Sequence, residues 1–131
     1  MKLLISGSRK ATHPLDYARL KEAIQKYAPQ ATEIWHGGAH GIDALASLYA
    51  REHDLVEQVI RPDYQSHYHK AAPLLRNTEL VKACDACIVY YVDSHSGGTK
   101  DTETKASRSN KLLAIISRQG EQPVGQQMRL L

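Results

Sequence analysis

The sequence predicts an α/β fold: a single Rossmann-like domain whose five-stranded, mostly parallel sheet, in the order 3-2-1-4-5, is flanked by helices. Three observations predict it. Short apolar runs alternate with stretches of helical periodicity, the pattern of a parallel sheet wound by crossover helices. At 131 residues the chain has the length of one domain with its own core. Six of the eight glycines fall directly after the first, second and fourth apolar runs, where strand must turn into helix.

Residues 2–6 form the first predicted strand. Pro14 opens the first helix, because a missing N–H costs nothing in a first turn. Leu20, Ala23, Ile24 and Tyr27 then recur at i, i+3, i+4, i+7, giving one apolar face, and Pro29 closes the segment. Residues 33–36 are the second strand, with the only tryptophan, Trp35. The second helix covers residues 41–53, where Ile42, Leu45, Ala46 and Tyr49 repeat the same spacing. The third strand, 56–61, is stopped by Pro62-Asp63. Residues 64–82 read as helix but carry Pro73, which predicts a break or kink. Residues 86–92, nearly all apolar, are a fourth strand buried on both faces. After a polar loop, residues 99–110 are a helix with one aliphatic residue, Ala106, so they are expected to lie over the sheet end. Residues 112–117 are the fifth strand. The domain is therefore 1–117, and 118–131, with Gly120, Pro123 and Gly125, reads as a flexible tail.

Composition narrows the function. No apolar run approaches the roughly 20 residues of a membrane span, and the apolar start covers only Leu3 to Ile5, too short for a signal peptide. A cytoplasmic protein is expected. The net charge of +3 suits an anionic ligand. No block of Lys/Arg interleaved with aromatics is present, so nucleic acid is not favoured. Cys84 and Cys87 form a lone CxxC that ends a helix and enters a strand. That is not the helix N-terminus of a redox pair, and no second pair completes a zinc site, so both read as packing residues. His67 and His69 lie about 200° apart round a helix and no HExxH occurs, so no metal site is predicted.

The carboxyl ends of parallel strands share one edge, where ligands bind in the crevice. Three glycine loops reach that edge: Gly7 with Ser8 and Arg9; Gly37, Gly38, Ala39, His40 and Gly41, followed by Asp43; and Ser96, Gly97 and Gly98, followed by Thr99 and Lys100. Glycine lets backbone approach a ligand without a Cβ in the way, and helix N-termini offer unpaired amides and a positive dipole end. A phosphate is accordingly expected on the backbone of 37–41 and 97–99. Arg9 opposes the dipole where it stands, which points to a ligand. Asp43 either complements the dipole of its own helix or meets a ribose hydroxyl. The loops match neither GxGxxG nor the P-loop. His36 and His40 flank the second loop, and Tyr64 stands at the rim of the third strand, placed to stack on a base.

These residues resemble a known family. Ser6-Gly7-Ser8-Arg9, Gly37-Gly38-Ala39-His40-Gly41-Ile42-Asp43, Pro62-Asp63-Tyr64, Arg76-Asn77 and Ser96-Gly97-Gly98-Thr99 are similar, in that order, to the YspA-like branch of the SLOG superfamily. That superfamily joins the Smf/DprA DNA-processing proteins to the LOG phosphoribohydrolases. The likeness spans about residues 1–117. It implies a nucleotide or nucleotide-derived ligand, such as an ADP-ribose-like or cyclic nucleotide molecule, with Arg76 and Asn77 at the same pocket, no required cofactor, and a homodimer or higher homo-oligomer by analogy with LOG proteins. Three functions follow. A LOG-like phosphoribohydrolase would use Arg76 and a carboxylate from a PGGxGTxxE motif. Here Ser96 replaces the proline and Thr102 falls where the glutamate belongs. Glu103 lies one position late, about 100° round the helix, leaving Glu103 and Asp101 as candidates beside the oxocarbenium-like state. A sensor or sequestering protein needs only the loops, Arg9, Arg76 and Lys100, and this is the favoured reading. DprA-like DNA binding is the third.

Overall fold

In the computed structural model, which describes residues 1–66, 69–93 and 97–124, the chain alternates strand and helix as expected. The elements are β1 (Lys2–Gly7), α1 (Pro14–Tyr27), β2 (Glu33–His36), α2 (Ile42–Glu52), β3 (Val56–Val59), α3 (Ala71–Ala83), β4 (Ala86–Tyr91), α4 (Gly97–Arg108), β5 (Leu112–Ser117) and β6 (Gly120–Pro123). They form one sheet in the order β3-β2-β1-β4-β5-β6. The first five strands are parallel, and β6 pairs antiparallel with β5.

The sheet separates two apolar layers. On one face Leu20, Ala23 and Ile24 of α1 and Ile42, Ala46 and Tyr49 of α2 pack on Leu3, Ile5, Ile34, Ile88 and Tyr90. On the other, Leu80 and Val81 of α3 and Ala106 of α4 meet Leu4, Cys87, Val89 and Tyr91. β4 is buried at all six residues, as its unbroken apolar run requires. Cys84 and Cys87 are free, buried thiols within the second layer. Burial pushes the Cys84 thiol up to about 12 and the Cys87 thiol higher still.

Four expectations are corrected. The sheet has a sixth strand, drawn from the start of the segment expected as a tail. A turn at Arg118-Gln119 brings Gly120 opposite Ser117, and the strand ends with Pro123 opposite Ala114. Glu121 of β6 accepts from Tyr27 at 2.9 Å and pairs with Lys26. Residues 125–131 of that tail lie outside the described residues. The helix expected from residue 64 is broken rather than kinked, since α3 starts only at Ala71. Pro73 thus occupies the first turn, where its missing N–H has no intrahelical acceptor. Third, α4 does not lie over the sheet end. It packs beside α3 on the sheet face, burying Thr99, Thr102, Glu103 and Ala106. Its polar side chains can be buried because they are bonded: Thr102 Oγ1 to the Gly98 carbonyl at 3.2 Å, and Glu103 to the Tyr91 hydroxyl at 2.8 Å. Finally, β3 ends at Val59 rather than residue 61, with Arg61 turned to the second glycine loop.

Below the edge, a buried carboxylate joins three elements. Asp16, fully buried on α1, accepts from Tyr90 Oη at 2.7 Å and from Arg118 Nε and Nη2 at 2.8 and 2.9 Å. It also receives the His13 amide at 3.1 Å, the reciprocal half of a capping box. The Arg118 hydrogen bonds hold the Asp16 carboxyl down at about 2 against the burial that opposes them.

Candidate functional site

Connections from β1 and β4 leave on opposite faces of the sheet, since α1 and α2 cover one face and α3 and α4 the other. This makes the gap between β1 and β4 the topological switch point, where a crevice opens at the carboxyl edge. A cleft of about 410 Å³ lies there, lined from β1 and its loop by Ser6, Gly7, Ser8, Arg9 and Lys10, and from the second loop by Ala39 and Asp43. The opposite wall comes from Pro73, Arg76 and Asn77 of α3, Tyr91 at the end of β4 and Asp93 beyond it, and Gly98 and Thr99 at the start of α4.

The first two loops are locked together by backbone. A Cβ on Gly7 would lie 2.7 Å from both the Ile42 side chain and the Tyr90 carbonyl. Ser8 donates its amide to Tyr90 O at 3.0 Å, and its carbonyl accepts from Ile42 N at 3.1 Å, the first residue of α2. Gly41 has φ +73°, and a Cβ there would fall 2.3 Å from Ser8 O, so only glycine fits.

The second loop is held from within. Asp43 Oδ2 accepts the amides of Gly37 at 3.2 Å and Ala39 at 3.0 Å, while the Gly38 amide donates to His36 Nδ1 at 3.0 Å. His36 is itself buried, with Nε2 2.5 Å from Glu57. The carbonyls of the loop serve two arginines: Arg76 Nη1 reaches Gly37 O at 2.9 Å and Arg61 Nη1 reaches Gly38 O at 3.0 Å. A Cβ on either glycine would push its guanidinium aside, standing 2.2 Å from Arg76 Nη1 or 2.5 Å from Arg61 Nη1, and Gly38 also has φ +76°. The amides of 37–39, where a phosphate was expected, thus bond to Asp43 and His36.

From Arg76 the chain of bonds continues to α4. Arg76 Nε donates to Asn77 Oδ1 at 2.9 Å, and Asn77 Nδ2 donates to Gly98 O at 3.3 Å and Asp101 Oδ2 at 3.1 Å. Gly37, Arg76, Asn77 and the first turn of α4 form one network that fixes the width of the cleft.

Charge in the cleft is mixed but leans positive. Arg9 and Lys10 are exposed on the rim, Lys10 standing 3.6 Å from Asp93, and Arg76 is half-buried. Burial lowers the Arg76 guanidinium, the nearby Asp43 raises it, and Arg9 opposes it as a like charge. Burial raises the Asp43 carboxyl, against the Ala39 amide and the charges of His36 and Arg76.

Of the residues singled out from sequence, Gly7, Ser8, Arg9, Ala39, Asp43, Arg76, Asn77, Gly98 and Thr99 come together around the cleft. Gly37, Gly38 and Gly41 support it from behind. His40, Gly97 and Lys100 are exposed and do not line it. Ser96 lies outside the described residues, as does His67. The two candidate carboxylates do not line the cleft but are bonded to residues that do: Asp101 accepts from Asn77 at 3.1 Å and from Lys105 at 2.7 Å, and Glu103 accepts from Tyr91 and Lys100, both at 2.8 Å. Sequence reasoning passed over Lys10, legible as the neighbour of Arg9 in the same loop. It also passed over Pro73 and Tyr91, which carry no local signal because packing brings them there. Among the described residues no group of three or more His, Cys, Asp or Glu is placed to hold a metal ion, and no helix is long and apolar enough to cross a membrane.

A family model described as the YspA, cpYpsA-related SLOG family matches residues 1–67, the stretch from β1 through β3 with the first two glycine loops. Neither a curated protein nor a solved structure matches the chain.

Proposed function

The chain belongs to the YspA, cpYpsA-related SLOG family, and from that premise we propose that it binds a nucleotide or nucleotide-derived molecule in the switch-point cleft and holds it without cleaving it. Family membership supports a nucleotide-related role, of binding or processing. One observation carries the finer reading: Arg9 and Arg76 line a single cleft, close enough for their charges to oppose each other. Neither forms an ion pair among the described residues. An anion between two guanidiniums removes that repulsion and gains charge-assisted hydrogen bonds. The open amides and dipole of the α4 N-terminus, at Gly98 and Thr99, and the Lys10 ammonium add to the same region. The volume falls within the range of small-ligand pockets.

Cleavage of an N-glycosidic bond needs a carboxylate beside the sugar. Glu103 and Asp101 do not line the cleft and are each paired with a lysine, Lys100 and Lys105, which favours binding over processing. The test is calorimetric titration with AMP, GMP, ADP-ribose, NAD and cyclic AMP, with parallel incubation to look for free base. Saturable binding lost in Arg9→Ala/Arg76→Ala, with no base released, is the expected result. Release of base, or no binding by any of the five, overturns the proposal.

A further inference from the structure

We infer that Asp43 is the specificity-determining acceptor of the cleft and that it takes a ribose hydroxyl, so that the ligand is a ribonucleotide rather than its deoxy counterpart or a bare anion. The inference rests on the reading of the cleft as a nucleotide site.

Asp43 lines the cleft while its residue surface is 7% exposed. Its two oxygens are treated differently. Oδ2 receives both loop amides, Gly37 and Ala39. Oδ1 accepts no hydrogen bond among the described residues. A carboxylate oxygen this deeply set, with its partner oxygen saturated, asks for a donor from whatever fills the space in front of it. A phosphate cannot be that group, because it would bring like charge to the carboxylate. A neutral hydroxyl can.

The position of Asp43 in the cleft selects which hydroxyl. Ile42, its neighbour, packs on Gly7, and Gly41 packs on the backbone of Ser8 and Arg9, so Asp43 stands beside the loop that carries Arg9 and Lys10. In a nucleotide the group next to the phosphate is the sugar, and a phosphate near Arg9 leaves the ribose against Asp43. Arg76 stands on the same side of Gly37 as Asp43 Oδ2, near enough to favour the Asp43 anion, though no salt bridge joins them among the described residues. The bond from Gly37 N–H holds the carboxylate in place before the ligand arrives, so little ordering is needed on binding.

The test uses titration calorimetry on the full chain with AMP and GMP set against 2′-deoxy-AMP, 3′-deoxy-AMP and 2′-deoxy-GMP, and with IMP set against AMP. The inference expects at least one deoxy substitution to weaken binding by about ten-fold or more, the loss of a hydrogen bond to a charged acceptor. It expects IMP, which lacks the exocyclic amine, to bind within about two-fold of its amine-bearing counterpart, since no charged acceptor is then left without a partner. Asp43→Asn, checked by thermal melting for an intact fold, should remove the preference for the ribose form. Equal binding of ribo and deoxy forms overturns the inference and leaves the nucleotide reading standing. A loss confined to IMP also overturns it, by placing a base amine at Asp43. Failure of every nucleotide to bind overturns both.

Discussion

Replacing Gly37 by alanine should move Arg76 out of the cleft without removing it. Gly37 does not adopt a positive φ, so alanine meets no backbone strain there. The obstacle is the guanidinium, since a Cβ would stand 2.2 Å from Arg76 Nη1 and 2.7 Å from Cζ, and ordinary contact requires a retreat of more than an ångström. That retreat breaks the 2.9 Å bond from Nη1 to Gly37 O. The lost bond costs about 1.5 kcal/mol, and the stiffer unfolded chain returns about 0.5 kcal/mol. The net loss, about 1 kcal/mol, lowers the melting temperature by about 4 °C. Ligand affinity should fall further, by about 30-fold, the equivalent of roughly 2 kcal/mol for a misplaced charge-assisted contact. Gly97→Ala is the control. A Cβ there meets nothing within 4 Å, but φ +68° makes it strained, so it should cost about 1 kcal/mol of stability and leave affinity within about two-fold. Calorimetry and thermal melting read both quantities. Wild-type affinity in Gly37→Ala, or an equal loss in Gly97→Ala, refutes the reasoning.

Three other outcomes are expected. Asp16, whose carboxyl is held near 2 chiefly by Arg118, contributes stability that is full above its unfolded value of 3.8 and is lost as the pH falls towards 2. The contribution is at most about 2 kcal/mol, reduced by the one-third exposure of Arg118. Urea midpoints of wild type and Asp16→Asn measured from pH 5 down to about 2 should therefore converge, and a constant gap contradicts this. With thiols raised by burial, Cys84 and Cys87 should resist iodoacetamide at neutral pH until the protein is unfolded, as mass spectrometry would show, and rapid native labelling contradicts it. Glu103→Gln should leave nucleotide affinity within about two-fold, because that carboxylate does not itself line the cleft and is already bonded to Tyr91 and Lys100. A loss of ten-fold or more would bring the processing reading back.

Much of the fold was legible because the strands and helices carry unmistakable periods. The run 86–92 announces a strand buried on both faces, and Leu20, Ala23, Ile24 and Tyr27 announce one helical face. β6 was not legible. Gly-Glu-Gln-Pro has no apolar alternation, and it becomes a strand only because the β5 edge and the Arg118–Asp16 pair offer it partners. The helix α4 was misplaced for a related reason: its buried residues are polar, and only tertiary partners such as Tyr91 make that burial tolerable. At the site, glycine position gave the location of the cleft but not the role of each glycine. Gly37 and Gly38 make room for arginines from residues 76 and 61, a pairing across the chain that no local pattern encodes.

The most direct trial of the account is a titration of the intact chain with AMP and ADP-ribose, repeated with Arg9→Ala/Arg76→Ala and over a range of salt. The account predicts stoichiometric binding that weakens with salt and disappears in the double variant. Binding that survives loss of both guanidiniums would contradict it.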